Sequence, residues 1–139
     1  MITYVDTSAM IKLLINETGS TAAKRIWLSA DEVTSAKIVA VEAHAALGAA
    51  RRGHRLTPAE YRWAVAELDI LLAQTTLVDI TDEVITRAIS LAVHEALRGY
   101  DAIHLAAALL VGADTLTSSD TDLRAAAARN GLNVADPTA

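Results

Sequence analysis

Residues 2–16 read ITYVDTSAMIKLLIN and contain the first strand and helix that the sequence predicts. The β-branched and aromatic run at residues 2–5 predicts a short strand that stops at Asp6. Apolar residues then recur at helical spacing and predict a helix over residues 8–16. A short strand that ends at an acid and leads directly into a helix is typical of an α/β domain.

The rest of the chain repeats this alternation of strand and helix. Further strands are predicted at residues 32–35, 76–80, 115–118 and 132–135, and further helices at residues 20–29, 38–52, 58–74, 82–97, 100–111 and 120–130. Thr57, Pro58 and Glu60 supply an N-cap, a first-turn proline and an acid at N3, so they mark one helix start clearly. We therefore predict a parallel sheet with helices on both faces.

Composition limits the class of protein. The chain has 139 residues, enough for a single domain over residues 1–139. It has no cysteine, which excludes a disulfide framework and a thiolate zinc site and suits a cytoplasmic protein. We expect no signal peptide and no membrane span. The net charge of −5 argues against binding nucleic acid by broad electrostatics, but removing four acids as ligands would leave thirteen acids against twelve bases.

Two acids follow predicted strands. Asp6 ends the first strand and Asp120 follows the fourth, and ligands of parallel sheets bind beyond the carboxyl ends of the strands. If these strands are neighbours, the two carboxylates converge. Either acid could instead cap the helix that follows it, and Asp101 could be a first-turn acid that complements a helix dipole. Taken one by one, these interpretations remain open.

Glu42 is the most informative acid because it lies inside a helix. It falls on the stripe Ile38, Val41, Ala45 and Ala49, which we expect to face the core, and no cation stands three or four residues away. A carboxylate there must be paired, protonated or bound to metal, since an unpaired buried charge costs several kcal/mol. The alternative is an edge position that reaches water.

A cleft that gathers several carboxylates calls for a cation. Two like charges ~4 Å apart repel by about 1 kcal/mol in water and about 4 kcal/mol at an effective dielectric constant near 20. A divalent ion relieves this repulsion, and a donor set made only of oxygen atoms favours Mg²⁺ or Mn²⁺ over zinc. Such an ion can activate water and polarise a phosphoryl oxygen.

Taken together, these segments resemble the PIN domain family, and within it the VapC-like toxins of toxin–antitoxin pairs. In chain order, the resemblance rests on residues 4–9 (YVDTSA), the Ala-rich helix that carries Glu42, residues 98–108 (RGYDAIHLAAA) and residues 116–123 (LTSSDTDL). The third of these segments is the most specific. The resemblance covers nearly the whole chain.

The resemblance implies a three-layer α/β/α PIN-like fold with a mainly parallel five-stranded sheet. It implies an endoribonuclease toxin that uses Mg²⁺ or Mn²⁺, is neutralised by a cognate VapB-like antitoxin and forms a homodimer or a larger assembly. Its metal-binding and catalytic acids would be Asp6, Glu42, Asp101 and Asp120. Asp122 would be an accessory metal ligand or only a first-turn charge, and Ser8 would hydrogen-bond a ligand carboxylate or help to cap its helix. The hypothesised reaction is attack of water on an RNA phosphodiester, which leaves a 5′-phosphate and a 3′-hydroxyl.

Several other residues are candidates for binding RNA or the antitoxin. The basic candidates for RNA phosphates are Arg51, Arg52, Arg55 and Arg98. For the first three, a solvated helix end with cations that complement its dipole is an equally good interpretation. His104 is expected to be structural. Trp27, Tyr61 and Trp63 either pack internally or receive an antitoxin helix in a groove.

Two alternatives come from other functional classes. A receiver-like signalling domain accepts a phosphoryl group on an aspartate with Mg²⁺, and Asp79 would be its acceptor only if Glu42 and Asp101 were incidental. The first strand ends in one acid rather than an adjacent pair, and no lysine follows the last strand, which argues against this alternative. The other is a metal-dependent DNA nuclease, for which the compact chain leaves little room to clamp a duplex.

Overall fold

The fold was obtained as a computed structural model, which describes residues 1–138. Within these residues the five strands are β1 (Ile2–Val5), β2 (Glu32–Ala36), β3 (Thr76–Val78), β4 (Thr115–Thr117) and β5 (Asn133–Ala135). The seven helices are α1 (Thr7–Ile11), α2 (Ser20–Ser29), α3 (Ile38–Arg52), α4 (Pro58–Ala73), α5 (Asp82–His94), α6 (Gly99–Leu110) and α7 (Thr121–Arg129). None of these helices has both the length and the apolar character that crossing a membrane requires.

The strands form one sheet in the order β3-β2-β1-β4-β5, and every neighbouring pair is parallel. β1 lies at the centre, where Val5 is in register with Thr117 of β4. The chain proceeds from β1 to β2 on one side and returns to β4 on the other, so the strand order reverses beside β1. Open α/β sheets bind their ligands at such a reversal.

Side chains of the central strand alternate between two apolar cores. Tyr4 is packed with α5, α6 and α7, whereas Val5 is packed with α1, α3 and α4. This alternation follows from the two-residue period of a strand, and it places helices on both faces of the sheet. The expected α/β class and five-stranded sheet are confirmed, and the sheet is parallel throughout.

The core-facing side of α3 differs from the expected one. Its buried residues are Val39, Ala43, Leu47 and Ala50. The stripe predicted from Ile38, Val41, Ala45 and Ala49 is wrong, since Val41 is 71% exposed. Glu42 therefore sits at the border of the buried face, with its side chain 23% exposed. This border position lets its carboxylate reach the end of the sheet.

Two helices are shorter than their sequence patterns predict. α1 ends at Ile11 rather than at residue 16, because the following backbone tightens into turns in which the Leu13 amide bonds to the Met10 carbonyl at 3.0 Å. α5 ends at His94 rather than at residue 97, and Ala96 adopts a left-handed conformation with φ of 52°. Apolar periodicity continues across both ends, so it does not reveal these stops.

Candidate active site

The ends of β1 and β4 bring two acids together. Asp6 directly follows β1, and its amide donates to the carbonyl of Thr117 in β4 at 3.3 Å. Ser118 follows β4, and its hydroxyl donates to Asp6 Oδ2 at 2.5 Å and accepts from the Asp120 amide at 3.0 Å. The two strands are thus neighbours, as the convergence of Asp6 and Asp120 requires.

Asp6 is almost fully enclosed and is fixed by three donors. It caps α1 by accepting from the Ala9 amide at 3.0 Å, and Ser8 Oγ donates to the same oxygen, Oδ1, at 2.7 Å. Ser118 occupies the other oxygen, and only 4% of the residue is exposed. Capping and a role in the site are therefore compatible here. Ser8, with its two expected roles, is a direct hydrogen-bond partner of Asp6.

Arg98 lies between Asp101 and Asp120 and contacts both of them. Asp101 lies in the first turn of α6, and Asp120 caps α7 by accepting from the Leu123 amide at 3.0 Å. Arg98 Nε lies 3.1 Å from Asp101 Oδ2, and its terminal nitrogen lies 3.0 Å from Asp120 Oδ2. Among the four predicted arginines, Arg98 is the one whose contacts place it between the acids.

Glu42 is paired by residues that come from other elements. Its Oε1 accepts from Thr7 Oγ1 at 2.8 Å and contacts His104 Nε2 at 2.7 Å. On the opposite side of its ring, His104 Nδ1 lies 2.7 Å from the Tyr4 hydroxyl. Sequence reasoning missed Thr7 and treated His104 as structural. The positions of these two residues in the sequence could have indicated their roles, because His104 lies one helical turn after Asp101 and Thr7 directly follows Asp6.

The acids differ in their electrostatic environment. Burial raises the pKa of Asp6 above its ordinary value, against the hydrogen bond from Ser118. Burial and then the charge of Asp120 raise the pKa of Asp101, while Arg98 opposes them. For Glu42, burial is outweighed by the hydrogen bond and charge of His104 together with Thr7, so its pKa lies below the ordinary value. At Asp6 and Asp101, burial therefore outweighs the hydrogen bonds and charges that favour the ionised form.

The chemistry of this donor set suits a hard divalent cation. The groups are all carboxylates, and the raised pKa values of Asp6 and Asp101 mean that nearby positive charge would stabilise their ionised forms. As the side chains stand within residues 1–138, no three acidic or histidine groups lie close enough together to hold one ion. Arg98 lies between two of the acids, and Glu42 Oε1 is turned to His104. Holding one ion at this cluster would therefore require these side chains to rotate.

Within the described residues, the remaining candidates form no hydrogen bond or ion pair with the four acids; they are Asp122, Arg51, Arg52 and Arg55. Asp122 is exposed in the first turn of α7. Arg51 stacks on Tyr61 at 5.1 Å, and Arg55 pairs with Glu17 at 3.2 Å. Since Arg51 and Arg52 follow Glu42 by nine and ten residues on α3, the helix rise separates them from it by about 13–15 Å. Arg51 and Arg52 are therefore best described as cations in the last turn of α3.

Asp79, the acceptor that a receiver-like domain would need, also lies apart. It follows β3, the edge strand of the sheet. Its side chain is 69% exposed and pairs with Lys37 at 2.9 Å. The enclosed polar groups instead gather at the ends of β1 and β4.

Comparisons with known proteins show what this chain resembles in sequence and in fold. The family model of the PIN domain matches residues 3–129. Ribonuclease VapC45 of Mycobacterium tuberculosis is 42% identical over 121 residues, which cover 87% of this chain and 84% of that protein. Among solved structures, FitAcB from Neisseria gonorrhoeae has a TM-score of 0.73 at 16% identity, with 99% of this chain and 98% of that chain covered. A toxin–antitoxin complex from Klebsiella pneumoniae has a TM-score of 0.67 at 20% identity, with 97% of both chains covered.

The two solved structures share the fold, and the family model and the curated relative extend the likeness to sequence. The family match spans the segments from β1 to α7 that carry all four predicted acids. The resemblance noted from the sequence is thereby confirmed: the chain belongs to the PIN domain family and, within it, to the VapC ribonucleases.

Proposed function

We propose that this chain is a metal-dependent endoribonuclease that hydrolyses RNA phosphodiester bonds as the toxin of a toxin–antitoxin pair. The observation that carries the proposal is the convergence of Asp6, Asp101 and Asp120 at the reversal of the strand order, with Glu42 beside them. The proposal draws further support from the 42% identity to a curated ribonuclease. An RNA substrate also suggests that the protein acts in the cytoplasm.

Each acid would have a defined task. Asp6, Asp101, Asp120 and Glu42 would hold Mg²⁺ or Mn²⁺ through their carboxylate oxygens. The bound ion would lower the pKa of water and polarise the phosphoryl oxygen. Ser8, Ser118 and the Ala9 amide keep Asp6 in place, so its carboxylate needs little reorganisation.

Arg98 is the candidate for substrate binding in this arrangement. Its side chain is 64% exposed and lies over the Tyr100 ring at 5.0 Å, so the guanidinium is at the surface of the acid cluster. From there it could form two parallel hydrogen bonds to an RNA phosphate. In the reaction, water adds to phosphorus, the bond to the 3′-oxygen breaks, and that oxygen leaves as a hydroxyl.

The proposal is tested with purified protein and an RNA strand labelled at each end in turn. We expect cleavage with Mg²⁺ or Mn²⁺, products that carry a 5′-phosphate and a 3′-hydroxyl, and no cleavage in EDTA. A DNA strand of the same base sequence should stay intact. Cleavage that persists in EDTA, or equal cleavage of the DNA, would contradict the proposal.

We further propose that a VapB-like antitoxin binds the apolar groove beside α1, α2 and α4, and that the chain forms a homodimer or a larger assembly. The groove has a volume of about 520 Å³ and includes Leu14, Trp27, Leu28 and Trp63 in its lining. Leu28 is 72% exposed and Trp63 is 56% exposed. Exposed aromatic and aliphatic side chains of this kind receive amphipathic helices.

Replacing Trp63 with alanine should weaken antitoxin binding. Aromatic residues at the centre of an interface often contribute about 2 kcal/mol or more, so we expect the dissociation constant to rise by about 30-fold or more. Titration of the variant with a VapB-like antitoxin that binds the unchanged chain measures the effect. Val93→Ala on α5 is the matched control, since Val93 is also an exposed apolar residue, 74% exposed, but lies outside the groove lining. Equal affinities of the two variants would place the antitoxin elsewhere.

A further inference from the structure

His104 connects the apolar core to the acid cluster. The residue is 2% exposed and lies on α6, one turn after Asp101. One ring nitrogen contacts Tyr4, which is fully buried in β1, and the other contacts Glu42 on α3. A buried histidine with both nitrogens engaged has a fixed orientation, and its two partners decide where its proton lies.

The hydrogen bonds of Tyr4 indicate the tautomer. The Ala36 amide donates to the phenol oxygen at 2.9 Å, so an acceptor lone pair of that oxygen is already used. His104 Nδ1, 2.7 Å from the phenol oxygen and closer than the Ala36 amide, is the acceptor to which we assign the phenol proton. A neutral imidazole that accepts at Nδ1 carries its own proton on Nε2. That proton points at Glu42 Oε1, 2.7 Å away.

Both donors to Glu42 use the same oxygen. Thr7 Oγ1 donates to Oε1 at 2.8 Å, and His104 Nε2 is on Oε1 as well. No hydrogen bond to Oε2 is formed within the described residues. The carboxylate is thus held by one oxygen and presents the other, as a metal-binding carboxylate with an outer hydrogen-bond partner does.

We propose that His104 is a positioning residue for Glu42: anchored by Tyr4, it holds Oε1 and keeps Oε2 available to a divalent cation at the acid cluster. This inference rests on the proposed role of Glu42 as a metal ligand. If His104 only filled the core, its contact with Tyr4 would matter and its contact with Glu42 would not. The two contacts can be separated, because they use different ring nitrogens.

Two substitutions of His104 separate its contact with Tyr4 from its contact with Glu42. His104→Gln keeps an N–H donor near the position of Nε2 and so preserves the bond to Glu42, whereas His104→Asn keeps an acceptor near the position of Nδ1 and so preserves the bond to Tyr4. We expect His104→Asn to raise the dissociation constant for Mn²⁺ by about 10- to 100-fold, the usual effect of losing an outer partner of a ligand. His104→Gln should bind Mn²⁺ at least about tenfold more tightly than His104→Asn. Calorimetry or electron paramagnetic resonance measures both values without RNA.

Glu42→Gln distinguishes failure of this inference from failure of the proposed function. We expect Glu42→Gln to weaken Mn²⁺ binding, and adding His104→Asn to it to cause little further loss, since both changes remove one interaction. If Glu42→Gln binds Mn²⁺ like the unchanged chain, the metal site itself is wrong. If it weakens binding but His104→Asn does not, or if His104→Gln is as weak as His104→Asn, only the positioning role is wrong.

The tautomer gives a test that does not depend on metal binding. Nitrogen-15 spectra of histidine-labelled protein distinguish a proton on Nε2 from one on Nδ1. We expect His104 to carry it on Nε2, and Tyr4→Phe to allow the other tautomer because the donor to Nδ1 is lost. A proton on Nδ1 in the unchanged chain would overturn the proposed positioning.

Discussion

Asp6→Asn is expected to lower the rate of RNA cleavage by at least about a thousandfold at saturating Mg²⁺. The loss corresponds to about 4 kcal/mol of transition-state stabilisation, which is the scale of the charge stabilisation that a bound metal supplies. An amide oxygen is a weaker ligand than a carboxylate and brings no negative charge. The single-turnover cleavage rate measures the effect, because it does not depend on product release.

The same substitution should leave the fold intact. Asparagine is as good an N-cap as aspartate, so the bond from the Ala9 amide to residue 6 is preserved. One of the bonds from Ser8 and Ser118 loses an acceptor, at a cost of about 1 kcal/mol. Because burial raises the pKa of Asp6, a neutral side chain also avoids enclosing a charge. A loss of cleavage in a folded variant is therefore a loss of the carboxylate.

Asp79→Asn is the matched control for this experiment. It makes the same chemical change at an exposed position at the end of β3, where Asp79 pairs with Lys37. We expect its cleavage rate to equal that of the unchanged chain. Normal cleavage by Asp6→Asn, or an equal loss in both variants, would contradict the assignment of Asp6 as a metal-binding acid.

The sheet could be predicted from the sequence because the signals that mark its strands are local. Short β-branched runs that end at polar residues mark β1 and β4, and the capping box of Thr57 and Glu60 is present at the start of α4. Alternation of strand and helix then implies parallel neighbours. The ends of α1 and α5 were missed, since apolar spacing continues past both ends and carries no signal for a turn such as the one with positive φ at Ala96.

The buried face of α3 could not be chosen from its sequence. The helix reads IVAVEAHAALGAARR, so small apolar residues occur on almost every side of its first three turns. Periodicity selects a face only when the opposite face is polar. Packing against α1 and α4 instead selected Val39, Ala43 and Leu47, which moved Glu42 to the border of the core.

The partners of the acids also lay beyond sequence reasoning. The spacing of Arg98 and Asp101 allows an ion pair within one turn, but the second bond of Arg98 to Asp120 spans 22 positions. The pairing of Glu42 with His104 spans 62 positions. Such contacts depend on which elements are neighbours in space, so sequence reasoning could name four candidate acids and Ser8 but not Thr7 and His104 as the partners of Glu42.

Mg²⁺ should raise the free energy of unfolding of the unchanged chain strongly. It should raise that of the Asp101→Asn variant only weakly. A ligand at 100 times its dissociation constant adds about 2.7 kcal/mol to the free energy of unfolding. Asp101 is 7% exposed, and its pKa is raised by burial and by the charge of Asp120, so its ionised form is unfavourable without added positive charge. Urea unfolding at pH 7, with Mg²⁺ and with EDTA, measures the two gains.

The raised pKa of Asp101 also predicts how Asp101→Asn changes the free energy of unfolding in EDTA. A carboxyl whose pKa is higher in the folded chain than in the unfolded chain stabilises the fold when it is protonated, at pH values below the ordinary value. That stability is lost as the pH rises through the raised pKa of the folded chain. Asp101→Asn stays neutral at pH 7, so we expect it to be more stable than the unchanged chain in EDTA by about 0.5–2 kcal/mol.

A purely structural Asp101 would give the opposite pattern. Its ion pair with Arg98 would then be its contribution, so Asp101→Asn would lower the free energy of unfolding in EDTA and leave the gain from Mg²⁺ unchanged. Asp69→Asn, a neutralisation on an exposed part of α4 where the side chain is 68% exposed, controls for the change in net charge and should behave like the unchanged chain. Higher stability in EDTA together with a smaller gain from Mg²⁺ arises only if the Asp101 carboxylate is kept in an unfavourable charged state because it binds the cation.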